Sequence, residues 1–207
     1  FGCSGCRGPP RGPQRATTDM TRIWFVRHGP THAKAMIGWT NLAADLSDTH
    51  AISRLRAYLP SVPIISSDLD RAVQTATALN PMLRLPHDAG LREINFGIWE
   101  NKTFVQAQET HPDLIRQYWE TPGDIAPPDG ETWHQTSARV TQAVDRIIAL
   151  GHNDIIVVAH FGAILTQLQR ALRCSSYEAF GHKIDNLSVT QIDYDHAITA
   201  GRINYLA

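Results

Sequence analysis

Cysteine is scarce in this chain: Cys3, Cys6 and Cys174 are the only three among 207 residues. An odd count with no secretion signal argues against a disulfide framework. Cys3 and Cys6 form a CxxC in "GCSGCRG", but no second CxxC and no HxxxH-type pair follows at finger spacing, so a zinc site is not expected. Long apolar runs are missing too. The longest candidate, "DIIVVAHFGAIL", is broken by His160 and Gly162 and stays short of the ~20 residues a membrane span needs. Nor is there an excess of one charge. Lys and Arg number 19, Asp and Glu 20, for a formal net charge of −1. That balance gives no reason to expect a nucleic-acid or membrane partner, and a cytoplasmic location is expected.

The hydrophobic share of 43% is ordinary for a globular chain able to bury a core. The first 19 residues, "FGCSGCRGPPRGPQRATTD", are rich in Gly, Pro and Arg and have no apolar periodicity. They lack the apolar region of a signal peptide and read as a disordered leader. Folding, and native translation, are expected to begin near Met20. Residues 20–207 then form a single domain.

Within that domain "RIWFV" (Arg22 to Val26) reads as a buried strand. Gly29-Pro30-Thr31 follows, and Pro suits the first turn of a helix. Ile52, Leu55 and Leu59 recur at helical spacing over Asp48 to Leu59, and Pro60 stops that helix. "VPIISS" reads as a second strand, and "DLDRAVQTATAL" as a helix with acids in its first turn. Residues 96–128 look like a small helical cap insertion, ending in the breakers "TPGDIAPPDG". Thr132 to Leu150 is a strong amphipathic helix. "DIIVVA" is a strand apolar on both faces. "GAILTQLQRAL" is a helix, and "SVTQIDYD" with "GRINYLA" makes a closing pair of strands. The alternation predicts an α/β fold with a mostly parallel sheet flanked by helices on both faces.

In such sheets ligands bind beyond the carboxyl ends of the strands. Three candidate strands end there in Arg27-His28, in Ser66-Ser67 leading to Arg71, and in His160. Two arginines and two histidines make a cationic pocket that suits phosphate better than carboxylate. One imidazole can attack phosphorus, and the positive charges hold it neutral and stabilise the transferring group. Glu93, in "GLREINFGIWENKTF", can supply the acid for the leaving oxygen, with Glu100 and Glu131 nearby as competitors. Thr31 and Lys34 are candidates for phosphate contact, with a surface role as the alternative. Gly162, opening the helix after His160, is a further phosphate- or substrate-binding candidate. Trp39, Trp99, Phe104 and Trp119 could line a pocket, although core packing suits each better. His50, His87 and His111 read as solvated.

In this order, "VRHGPT", "SSDLDRAVQTA", "LREINFGIWE", "GETW…RV" and "VVAHFGAI" resemble the histidine phosphatase superfamily, also called phosphoglycerate mutase-like, over about Thr21 to Asp193. The resemblance implies that His28 becomes a phosphohistidine. It implies that Arg27, Arg71 and His160 form the phosphate pocket, and that Glu93 is the proton donor and later the base. It implies no metal, and no cofactor is expected. The partner is a small phosphate ester, and a homodimer is left open. Two positions depart from the family's usual pattern, Pro30 in place of Glu and Lys34 in place of Asn, and both bear on substrate contacts. The expected activity is phosphomonoester hydrolysis of the broad-specificity or α-ribazole phosphatase kind. The alternatives are a cofactor-dependent phosphoglycerate mutase and a non-catalytic phospho-ligand binding module.

Overall fold

The computed structural model describes residues 20–207. Cys3, Cys6 and the expected leader lie outside the described residues.

Three strands set the frame: β1 (Thr21–Arg27), β2 (Ile64–Ser66) and β3 (Asp154–Ala159). β3 pairs in parallel with both of the others, through Arg22↔Asp154 to Arg27↔Ala159 on one side and Ile64↔Ile156 to Ser66↔Val158 on the other. Two further strands, β4 (Val189–Tyr194) and β5 (Ile198–Ala200), complete a sheet of order β2-β3-β1-β4-β5. β4 runs antiparallel to both neighbours, so the sheet is mixed, with one strand reversed among four that point the same way.

Side chains alternate between the faces of a strand. Ile23, Phe25, Ile155, Val157 and Ala159 join one core cluster, and Val26, Ile156 and Val158 the other. The second cluster is covered by α1 (Thr49–Tyr58) and α2 (Asp70–Ala78), through Leu55, Ala72 and Ala76. The first is covered by α5 (Trp133–Ile148) and α6 (Phe161–Leu172). α5 begins at a capping box in which Thr132 and Gln135 satisfy each other's amide N–H. It buries Val140, Ala143, Val144 and Ile147, the stripe its sequence periodicity predicts.

The cap consists of a 3-10 turn (Gly97–Trp99), α3 (Phe104–Thr110) and α4 (Pro112–Glu120); the short α7 (Ser176–Phe180) follows α6. Aromatic edges hold the cap. Trp99 and Tyr118 meet in a T-shaped contact with centroids 5.6 Å apart, and both are buried.

Five expectations need correction. Pro30 starts no helix: residues 28–48 are a loop that doubles back, with the Asp45 N–H donating to Pro30 O at 2.7 Å. α2 starts two residues late because the Asp68 carboxylate pairs with Arg92 instead of capping the helix. The last strand lies at Ile198–Ala200, after a tight turn. Residues 201–207 add only a single bridge from Tyr205 to Val189, because Asn204, at φ 53°, breaks their extended run. Phe104 is 46% exposed rather than core, and His111 is half-buried beside the Trp99 indole N–H.

Trp99→Ala should cost about 3–5 kcal/mol of stability, the usual range for emptying a buried aromatic site. Phe104→Ala should stay within about 0.5 kcal/mol, as exposed substitutions do. Urea denaturation followed by fluorescence and circular dichroism would measure both. Equal losses would place the cap's packing on the wrong aromatic.

Candidate active site

Where the β1–β3 ladder ends, at Arg27↔Ala159, the next residues in register are His28 and His160. The His28 N–H donates to Ala159 O at 3.1 Å, which prolongs the ladder by one step. This juxtaposition alone brings the two imidazoles together, with ring centroids 5.0 Å apart. From β2 the chain passes Ser67, whose N–H donates to Val158 O, and enters α2, which carries Arg71.

His28 is buried. Its Nδ1 lies 2.6 Å from Gly29 O, and because a carbonyl only accepts, Nδ1 carries the proton. Nε2 therefore keeps its lone pair, and the Arg71 Nε–H donates to it at 3.3 Å. Burial, followed by the Arg71 charge, lowers the His28 pKa to about 3, so the ring is neutral at physiological pH. Asn186 Nδ2–H donates to His28 O, and the Gly29 N–H donates to Thr75 Oγ1, fixing the backbone on either side of the ring.

Arg71 is 1% exposed and has no carboxylate bonded to it. Its Nη1–H donates to Thr40 O at 2.8 Å and its Nη2–H to Gly38 O at 2.6 Å. Burial lowers its pKa, and Glu93 and Glu100 oppose that from a distance. Gly38 can only be glycine: a Cβ there would lie 2.0 Å from Ile94 O. Glu100 clamps this turn by accepting from the N–H groups of Gly38, Trp39 and Thr40 and from the Thr40 hydroxyl.

Arg27 is half-buried. Its Nη1–H donates to Ile184 O at 2.6 Å, while its buried Nε has no partner. His160 is fully buried, and neither of its ring nitrogens has a partner. Burial, then His28 and Arg71, push its pKa well below the ordinary value. Orphaned buried donors and acceptors are costly unless something supplies a bond.

Glu93 faces these groups from the loop before the cap. Its Oε1 accepts from the Gly162 N–H at 2.8 Å and from the Ile94 N–H at 3.0 Å. The Gly162 amide is thus committed to Glu93, and a Cβ on Gly162 would sit 2.5 Å from Oε1. Both competitors for the acid role have structural tasks. Glu100 holds the 38–40 turn, and Glu131 pairs with Arg139 through both oxygens and accepts from the Asn95 N–H.

A cavity of about 180 Å³ opens over the site, lined by Arg27, His28, Arg71 and Glu93 together with Thr31, Ala33, Ala35, Ile37, Phe96 and Phe161. Thr31 is on its wall. Lys34 is exposed and is not on its wall, although both of its neighbours are. With two arginines, two neutral imidazoles and a single carboxyl group, the site carries a net positive charge and suits an anion. Among the described residues no group of three His, Cys, Asp or Glu side chains is placed to hold a metal.

Sequence reasoning missed Arg139, and it read Trp39 as a pocket-lining or core residue and not as a support for Glu93. Arg139 Nη2 and the Trp39 indole N–H both donate to Glu93 O, at 3.1 and 2.8 Å, while Arg139 Nη1 donates to Gly90 O and Arg92 O. The indole also stacks under the Arg92 guanidinium at 4.9 Å. Only the "RV" that follows "GETW" hinted at Arg139.

An unfolded imidazole titrates near ~6.5, whereas folded His28 does so at about 3. Between these values the unfolded chain takes up protons that the folded chain refuses, so stability should fall as the pH drops through that window. Urea midpoints at pH 7 and pH 5 should show the fall, with a shallower slope in His28→Asn. The same slope in both proteins would contradict the buried neutral ring.

The model of the histidine phosphatase superfamily, branch 1, matches residues 23–201. A bifunctional protein of Mycobacterium tuberculosis is 30% identical over 98% of this chain and 56% of its own length, so the chain spans about half of that relative. A glucosyl-3-phosphoglycerate phosphatase of Mycolicibacterium vanbaalenii is 32% identical over 74% of each chain. In fold, the chain is similar to the Bacillus stearothermophilus protein YhfR, with a TM-score of 0.83 at 24% identity over 90% of this chain and 98% of that one. It is also similar to an Escherichia coli protein described as a putative α-ribazole-5′-phosphate phosphatase, with a TM-score of 0.80 at 21% identity over 90% and 97%.

Proposed function

This chain belongs to the histidine phosphatase superfamily, branch 1, and we propose that within it the chain is a phosphomonoesterase that works through a phosphohistidine on His28. The observation that carries this reading is the neutral, Nδ1-protonated His28 whose Nε2 lone pair stands beside an unpaired buried guanidinium. Phosphatase activity in the names of several relatives supports it.

The phosphate group of the substrate takes the place of the missing partners. Its oxygens accept from Arg71, from the unpartnered Nε of Arg27 and from a ring N–H of His160, whose nitrogens are both orphaned. His28 Nε2 then attacks phosphorus. The N–P bond forms as the ester P–O bond breaks, and the leaving oxygen takes a proton from Glu93. The Gly29 carbonyl on Nδ1–H stabilises the charge that develops on the ring. In the second half, Glu93 as carboxylate takes a proton from water while that water attacks phosphorus. The N–P bond breaks, its electron pair returns to Nε2, and inorganic phosphate leaves. Gly162 serves by holding Glu93, and Thr31 lies within reach of the substrate.

His28→Ala should abolish turnover and abolish an acid-labile phosphate label that the unmodified protein acquires from substrate. Turnover by the variant would remove His28 as nucleophile. Transfer of the label to a phosphoglycerate acceptor without release of phosphate would instead identify a mutase, and no label at all a binding module.

Glu93→Gln tests the acid. A nitrophenolate leaves without a proton and an alkoxide does not. In single turnover the variant should therefore slow phosphoenzyme formation from an alkyl phosphate by about 10²-fold more than from a nitrophenyl phosphate. Equal slowing would make Glu93 a structural residue.

A further inference from the structure

The groups that hold phosphate occupy one end of the cavity; what lines the rest of it concerns the other half of the substrate. Beyond Arg27, His28, Arg71 and Glu93, the wall consists of Ala33, Ala35 and Ile37 from the loop after β1, of Phe96 and Phe161, and of one hydroxyl, Thr31. No further cation contributes to it.

Several basic residues of the surrounding loops are held in ion pairs. Arg92 is paired with Asp68, Arg139 with Glu131, and Lys183 with Asp185. Lys34 alternates with Ala33 and Ala35 along the loop and is exposed. The Phe161 ring lies 5.4 Å from the Arg27 guanidinium and covers one side of it. At about 180 Å³ the cavity is smaller than the ~300 Å³ at the low end for small-molecule sites, so a phosphate group occupies much of it. The remaining wall, with Ile37, Phe96 and Phe161 as its largest apolar side chains, forms a sleeve for the leaving group.

We infer that this sleeve selects phosphate esters whose leaving group is uncharged and apolar next to the ester bond, aromatic or alkyl, and discriminates against leaving groups that carry their own carboxylate or second phosphate there. This rests on the phosphomonoesterase reading above. A carboxylate drawn into the sleeve loses water and meets methyl groups and ring faces, and it gains no partner in return. Phe96 and Phe161 offer an aromatic leaving group two rings to pack against. Ala33, Ala35, Ile37, Phe96 and Phe161 are therefore the specificity-determining positions, and of these Ala33 and Ala35 flank Lys34, a departure from the family pattern.

A matched pair of esters isolates the effect: benzyl phosphate and O-phosphomandelate share the benzylic ester bond and differ by one carboxylate on the carbon that bears it. The native protein should favour benzyl phosphate by about tenfold or more in kcat/KM, equivalent to about 1.4 kcal/mol or more. Ile37→Arg, which places a cation in the sleeve, should narrow or reverse that ratio. The ratio in the unmodified protein decides even if the variant fails to fold. Equal or faster turnover of the carboxylated ester, with the acid-labile label still forming, would overturn the sleeve and leave the phosphatase reading standing. Loss of that turnover in Lys34→Ala would then name the cation responsible. If neither ester is turned over and neither leaves a label, the phosphatase reading falls and the inference with it.

Discussion

A buried guanidinium with no carboxylate bonded to it is the constraint from which the rest of the site follows. Hydrogen bonds from Arg71 to Gly38 O, Thr40 O and His28 Nε2 leave N–H donors free, and two carbonyls do not cancel a full charge. The residual field does two things. Added to burial, it keeps the His28 ring neutral, and it leaves a place where an anion is worth more than water. A carboxylate paired with Arg71 at this position would cancel that field.

Keeping Arg71 unpaired requires that every nearby carboxylate be held off it, and the structure assigns each one a different task. Glu100 is saturated by the amides of the 38–40 turn, and Glu131 is fixed by Arg139. Glu93 is tethered through Oε1 to the start of α6 and the Ile94 amide. Its backbone is gripped from behind by Trp39 and Arg139. The three glutamates differ in what holds them, and that difference leaves the proposed acid role to Glu93.

Much of this was legible in the sequence, for identifiable reasons. β1, β3, α1, α5 and α6 announce themselves through periodicity and caps, signals that lie within about twenty residues. Because parallel strands place their carboxyl ends together, a polar tip on each strand was enough to bring Arg27, His28, Arg71 and His160 to one place. The course of residues 28–48 was not legible. It depends on contacts such as Asp45 to Pro30 and the added Cβ that Gly29 could not fit beside Leu46, which leave no periodic trace. Arg139 was hidden for the same reason: on an amphipathic helix an arginine reads as surface, and only its bonds to Gly90 O, Arg92 O and Glu93 O distinguish it. The closing strand was displaced because Ile198 and Thr199 pair directly across a tight turn.

Glu100 has one more bond: the Phe96 N–H donates to its Oε1 at 3.1 Å. The same carboxylate therefore ties the root of the cap to the turn that grips Arg71. Bonds to a carboxylate contribute about 1.5–3 kcal/mol each, so swinging the cap away from the sheet would break several at once and loosen the phosphate end of the site with it. Phe96 is also part of the cavity wall, so one carboxylate sets the position of an apolar wall residue and of the phosphate-binding guanidinium together.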